Sequence, residues 1–206
     1  MDIRYENGAI LMADVGEKLP DIANSAVIKH GSYIYSGSKI GDRSTISHGV
    51  VVEEGCQIGE RVFIGHGTIL RPGTVIGHRS VIGHLSVFEG KCTIGRDVLI
   101  HSQCHITKGV IIEDDVFIAP LFVGANDPQM CHSRRHMLNY VETPYKIERA
   151  ARIGVGVKVL PGVVIGENSI VGSGSVVTRD IPAREVWMGV PARHVRDVNS
   201  WEWLTD

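Results

Sequence analysis

The sequence predicts an all-β chain, a parallel β-helix with the cross-section of a narrow triangular prism. Three observations predict it. A large apolar residue recurs at every sixth position from Ile22 to Ile118, and the register resumes from Ile153 to Val177. Four positions after each such anchor stands something small or β-branched, as in Ser38, Ser44, Val50 and Cys56. The residue just after the anchor is often glycine, as in Gly41, Gly59, Gly77 and Gly83. A period of six fits neither the 3.6 of a helix nor the two of an amphipathic strand, and a fixed period is the mark of a stacked repeat. One large and one small inward residue per hexad fill a narrow prism, with a short strand on each side and a turn at each corner. Glycine relieves crowding at a corner and permits unusual φ. Three hexads close a coil, so residues 18 apart stack at strand spacing. The repeats then give roughly seven coils, a column of about 34 Å at ~4.8 Å per coil.

The remaining elements follow in order. Residues 1–21 contain no hexad and read as an N-terminal cap, which a stack of coils requires at its ends. Residues 22–181 form the β-helix, with an inserted loop at 119–152. Residues 182–206 form a C-terminal tail with Trp201 and Trp203, read as a short helix or an arm. The chain has 206 residues, 43% of them hydrophobic and 21% charged, with net charge −2. That balance lacks the basic excess of a nucleic-acid binder. No apolar run approaches the ~18 residues of a membrane span. Residues 1–6 lack the basic-then-apolar pattern of a signal peptide. Cys56, Cys92, Cys104 and Cys131 form no CxxC pair, so a reduced, cytoplasmic chain is expected.

The hexad pattern resembles the hexapeptide-repeat acyltransferases, and the likeness covers residues 22–195. It implies left-handed coils, against the usual crossover preference. It also implies acetyl-CoA as acyl donor and a homotrimer with active sites between subunits. The repeat alone says little about chemistry, because unrelated functions share it.

The chemistry is expected where the monotony breaks. A loop as long as 119–152 inside a compact repeat is commonly functional, and this one carries Asn126-Asp127-Pro128, Cys131-His132 and Arg134-Arg135-His136. The stretch from Phe122 to Pro128 is similar to a segment of the nucleotide-linked amino-sugar N-acetyltransferases that ends in an active-site Asn. The resemblance implies that role for Asn126, whose amide would polarise the thioester carbonyl or hold the acceptor. Sugar O-acetyltransferases carry a general-base His before the Pro; this chain has Asp127 there, with His132 or His136 as substitutes. The competing reading of the motif is turn chemistry.

Histidines form the second set. His30, His48, His66 and His84 are 18 apart and should stack as a ladder, with Ser102 continuing the column. Solvated turn sites are the plain reading of that ladder and metal binding the sharper one. His101 occupies the glycine column one coil below Ala119, and His105 lies four residues on. Either could accept an ammonium proton.

The C-terminal run from Ile153 to Arg193 resembles the acyl-CoA-binding end of the family. It implies close approach of the pantetheine at Gly172 and Gly174, with Thr178, Arg179, Pro191 and Arg193 beside it and the arginines suited to phosphates.

The leading expectation is therefore an acetyl-CoA-dependent N-acetyltransferase acting on an amino sugar, nucleotide-linked as the resemblance has it. Asn126, His101, His105 and Asp127 are its catalytic candidates, with no resident metal. The alternatives are sugar O-acetylation, a non-catalytic scaffold, and a metal enzyme resembling the γ-class carbonic anhydrases. His66, His101 and His105 superficially suggest the last, although their spacing departs from that family's.

Overall fold

The structure, a computed structural model, describes residues 2–6, 9–13, 18–131, 136 and 141–204. Residues 21 to 177 wind through eight coils of three short strands each. Face 1 begins with Asp21–Ile22, face 2 with Val27–Ile28 and face 3 with Tyr33–Tyr35. Within each face the strands pair in parallel at the expected offset, as in Asp21 with Lys39, Val27 with Thr45 and Tyr33 with Val51.

The inward columns are those read from the sequence. The anchors Ile34, Ile64, Ile82 and Phe88 are fully buried, and so are Ser32, Ser38 and Ser44 of the small column. A hydroxyl is tolerated inside because a turn carbonyl of the next coil, 15 residues on, accepts its hydrogen bond. Ser32 Oγ donates to Ser47 O at 2.8 Å and Ser44 Oγ to Gly59 O at 2.7 Å, which leaves these buried groups satisfied.

The glycines after the anchors answer crowding and not an unusual φ. A Cβ on Gly77 would lie 2.5 Å from the Gly95 backbone, and one on Gly83 would overlap that of His101. Neither residue has positive φ. The left-handed turn position falls two residues later. Glycine fills it at Gly49 and Gly67, but Arg79, Leu85 and Asp97 fill it elsewhere.

The eighth coil comes from two hexads hidden at the break. Val123–Gly124 continues face 3, pairing with His105 below and Lys158 above, and Lys146–Ile147 continues face 1. The inserted loop is thus narrower than the 119–152 expected. The sequence hid these hexads because Gly124 stands where an apolar anchor belongs. Tyr145, only 1% exposed, fills that space from the far end of the loop, edge-on to Phe122 at 5.8 Å. Any Cβ on Gly124 would overlap the Tyr145 ring.

Hairpins close both ends. Asp2–Glu6 and Ala9–Ala13 pair antiparallel, and the second strand extends face 3 below Tyr33–Tyr35. Glu185–Gly189 and Ala192–Asp197 form the other hairpin, which extends face 2 above Ile170. The tail, expected as a short helix or an arm, therefore begins with two strands, and among its described residues Ser200–Glu202 makes a single 3-10 turn. The tail docks on the last coil through Leu204 N to Asn168 Oδ1 at 2.8 Å and folds on itself through Arg184 over the Trp203 ring at 4.4 Å.

Removing the Tyr145 ring should leave a cavity that costs on the order of 3–5 kcal/mol, and Gly124→Val alone should overpack the same space. The pair Gly124→Val/Tyr145→Ala restores an ordinary hexad and should be more stable in urea unfolding than either single variant. A double variant weaker than both would refute this account of the exchange.

Candidate active site

The loop leaves the prism at the corner between faces 3 and 1, and Asn126 holds its neck. Its carbonyl accepts the Thr143 N–H at 2.8 Å and its Nδ2 donates to Lys108 O at 3.2 Å. Lys108 Nζ reaches Glu142 Oε1 at 2.8 Å across the same neck. Asp127 anchors the following turn. Its Oδ1 accepts from Gln129 N and Met130 N, both at 2.9 Å, and its Oδ2 from Cys131 N at 3.1 Å. A carboxylate engaged by three backbone N–H groups is a turn cap by geometry. His132 lies outside the described residues, and His136 is exposed.

His101 and Asn126 stand at opposite corners of face 3. His101 ends the face 2 strand Leu99–Ile100, half-buried, with its ring edge-on to Phe117 at 5.3 Å. His105 opens the face 3 strand His105–Ile106 and points outward. Its Nε2 lies 3.2 Å from Glu89 Oε1 on the coil below, with both side chains partly exposed. Sequence reasoning missed Glu89. The signal was available, since a residue just after one anchor and a residue just before the next coil's anchor are diagonal neighbours on one face. The turn that follows this strand carries Lys108, whose carbonyl accepts from Asn126 on the coil above, so face 3 links the His105–Glu89 pair with Asn126.

The C-terminal candidates share one end of the prism but not one corner. Gly172 and Gly174 flank the top turn between faces 2 and 3, Thr178 and Arg179 end face 3, and Pro191 and Arg193 belong to the hairpin over face 2. A Cβ on Gly172 would lie 2.7 Å from Met188 Cβ, so hairpin packing already requires that glycine, whereas the site of a Gly174 Cβ is open. A recess of about 250 Å³ runs beside them on face 2, lined by Phe117, Arg152, Gly154, Gly172 and Ser173 among others. One guanidinium nitrogen of Arg152, Nη2, is buried without a hydrogen-bond partner among the described residues.

The histidine ladder stands as the sequence predicts, at the turn between faces 2 and 3. The rings of His48 and His66 stack at 5.4 Å, and those of His66 and His84 at 5.0 Å. His66 Nδ1 accepts the His48 N–H at 3.2 Å, His84 Nδ1 accepts the His66 N–H at 2.9 Å, and Ser102 Oγ accepts the His84 N–H at 3.0 Å. Ring nitrogens one stacking distance apart cannot share a zinc ion whose Zn–N bonds are ~2.0–2.1 Å. The ladder therefore caps turns. His66, His101 and His105 lie on a turn, a face 2 end and a face 3 start, and do not converge. Among the described residues the group with ligand atoms close enough for a cation is Glu185, His194 and Asp197, where Glu185 Oε2 already accepts the Trp187 indole N–H at 2.6 Å.

The fold and these corners define a stacked-prism protein that keeps its reactive side chains outside a filled core. The chain belongs to the hexapeptide-repeat family. Residues 22–127 match the family model described as the GMPPB C-terminal domain, and residues 144–179 match the bacterial transferase hexapeptide (six repeats). It is 40% identical over 91 residues to the galactoside O-acetyltransferase of Escherichia coli K12, covering 44% of this chain and 45% of that protein. A putative acetyltransferase of Staphylococcus aureus MRSA252 is 34% identical over 115 residues, 52% of this chain and 55% of that one. The chain spans about half the length of these curated relatives. Among solved structures, a hexapeptide-repeat acetyltransferase of Vibrio cholerae complexed with acetyl coenzyme A superposes with TM-score 0.55 at 28% identity, over 61% of this chain and 71% of that one. The UDP-N-acetylglucosamine acyltransferase of Campylobacter jejuni has TM-score 0.59 at 16% identity, over 93% and 74%, and shows the shared fold.

Cys56, Cys92 and Cys104 sit in the small inward column. Burial pushes the first two thiols up to about 11 and raises the third in the same direction. At pH 8 all three should stay unreactive toward a disulfide reagent in the native protein and react once it is unfolded, because the thiolate is the nucleophile. Rapid native labelling of Cys56 would contradict their placement.

Proposed function

We propose that this protein transfers acetyl from acetyl-CoA to the amine of an amino sugar, as a homotrimer with sites shared between subunits. The observation that carries the reading is the His105–Glu89 pair on the face that leads to the loop neck, in a chain whose relatives include acetyltransferases. Glu89 holds Nε2, which leaves Nδ1 to take the proton of the ammonium form. The freed nitrogen lone pair attacks the thioester carbonyl, the C–S bond breaks, and the departing thiolate of coenzyme A receives a proton.

Support for the donor end comes from the recess beside Gly154 and Gly172 and from the acetyl coenzyme A carried by the Vibrio cholerae neighbour. Arg179 and Arg193 are exposed at that end and suit its phosphates. In this reading Asn126 sets the loop, Asp127 caps its first turn, and His101 shapes the adjoining corner. A sugar hydroxyl is the second acceptor to consider, since the Escherichia coli relative is named for O-acetylation and a hydroxyl needs such a base more than an amine does.

The test is coenzyme A release from acetyl-CoA against amino sugars, their nucleotide-linked forms and neutral glycosides. His105→Ala should lower kcat by 10²–10⁴-fold near neutral pH, and Glu89→Gln should lower it less, with heat protection by acetyl-CoA retained in both. Unchanged turnover in His105→Ala would remove the base. A product cleaved by hydroxylamine would be an ester and would favour the hydroxyl.

A further inference from the structure

The three corners of the prism differ in charge. Between faces 1 and 2, the turns from the second coil upward all carry ionised residues, such as Asp42-Arg43, Arg96-Asp97 and Asp114-Asp115, and some pair across coils, as Arg96 does with Asp114 at 2.8 Å. Between faces 2 and 3, the two exposed turn positions carry no Lys, Arg, Asp or Glu from His30-Gly31 up to Ser173-Gly174. That corner, with Lys29 at its foot as the one formal charge between the face 2 and face 3 strands, carries the histidine ladder, and its upper end is the Gly172–Gly174 turn.

Capping explains an acceptor at these positions but not an imidazole. Ser102 and Ser173 do the same work in the same column with a hydroxyl, the latter accepting Val155 N at 3.1 Å. An imidazole adds a second ring nitrogen that faces solvent. Because a backbone N–H can only donate, Nδ1 of His66 and of His84 is unprotonated, and their outward Nε2 atoms bear hydrogen. His48 Nδ1 instead lies 3.2 Å from the His30 carbonyl, so it donates. The corner thus offers outward ring nitrogens in a row, one coil or ~4.8 Å apart.

Apolar surface adjoins that row. Leu85 and Leu121 hold left-handed φ of 55° and 65° at this corner and expose 60% and 50% of their surface. Bulky residues at φ > 0 are outliers, and such outliers cluster at ligand contacts.

We infer that this corner binds the acceptor, and that the acceptor is an oligosaccharide without anionic groups, lying along the ladder with its amine-bearing end toward the His101–Ser102 turn, which adjoins the His105–Glu89 pair on face 3. Alternating hydroxyls and C–H faces match the row of ring nitrogens and the two leucines, whereas a diphosphate would meet no Lys or Arg on these turns above Lys29. The inference rests on the acetyl-transfer reading above and narrows its acceptor.

The test compares three probes with acetyl-CoA: glucosamine, a tetramer of N-acetylglucosamine ending in one glucosamine, and UDP-glucosamine. It is run on the wild type and on His66→Ser/His84→Ser, which keeps a capping hydroxyl. In the wild type the tetramer should have the lowest KM. The variant should raise that KM at least tenfold while the KM values of glucosamine and acetyl-CoA stay within twofold and the light-scattering mass is unchanged. UDP-glucosamine as the best acceptor, or an unchanged tetramer KM, would overturn the inference. So would a changed mass, which makes the ladder a subunit contact. Acetylation of none of the probes despite heat protection by acetyl-CoA would also overturn it, and absence of that protection would overturn the underlying reading instead.

Discussion

Each coil is held by backbone hydrogen bonds to the coils above and below it, as in Lys39 N to Cys56 O and Val75 N to Cys92 O, both at 2.8 Å. That parallel stacking at strand spacing is the constraint on which the rest of the molecule depends. It fixes one large and one small side chain per hexad inside the prism. It also leaves no room for a Cβ at turns such as Gly77, where the next backbone would stand 2.5 Å away. A stack held by nearest neighbours exposes unpaired strands at both ends, and the two terminal hairpins meet that need on different faces.

A filled interior pushes chemistry outward. Buried polar groups of the small column such as Ser32, Ser44 and Cys56 are consumed by the fold, the hydroxyls bound to turn carbonyls and the thiol held protonated by burial. What remains to vary is the outward strand position and the two turn residues of each hexad. The corner between faces 1 and 2 uses them for ion pairs, where surface pairs contribute only modestly to stability. The corner between faces 3 and 1 uses one coil to extrude a loop. The corner between faces 2 and 3 uses them for uncharged rings and leucines, so the three edges of one repeat carry three different chemistries.

The sequence was legible wherever one residue's environment is set by its own hexad. The anchors, the small column and the ladder from His30 to Ser102 all follow from spacing alone. It was less legible where a distant residue completes a site. Gly124 looks like a lost register until Tyr145, arriving from beyond the loop, is seen to fill its place. Type and neighbourhood single out His101, Asn126 and Asp127, and the structure adds the partners each of them has: Phe117 beside His101, Lys108 O for Asn126 and three backbone N–H groups for Asp127. Glu89 was overlooked because its meaning lies in a diagonal contact with His105. The tail's strands are set by Ile170 and Val171 of face 2, against which Val186 and Trp187 pair, a contact that no spacing within the tail announces.

The left-handed turn positions bear on where a ligand belongs. A non-glycine there costs roughly 1–2 kcal/mol in backbone energy, and this chain accepts it repeatedly because stacking over-determines the turn. Arg79 and Asp97 recover part of that cost by pairing with each other across coils. Leu85 and Leu121 have no such return, since half or more of each side chain faces water. Two strained apolar residues at one corner, beside a row of outward ring nitrogens, are hard to account for by the stability of the isolated prism. Their placement makes sense when something with both hydroxyls and hydrocarbon lies against that edge.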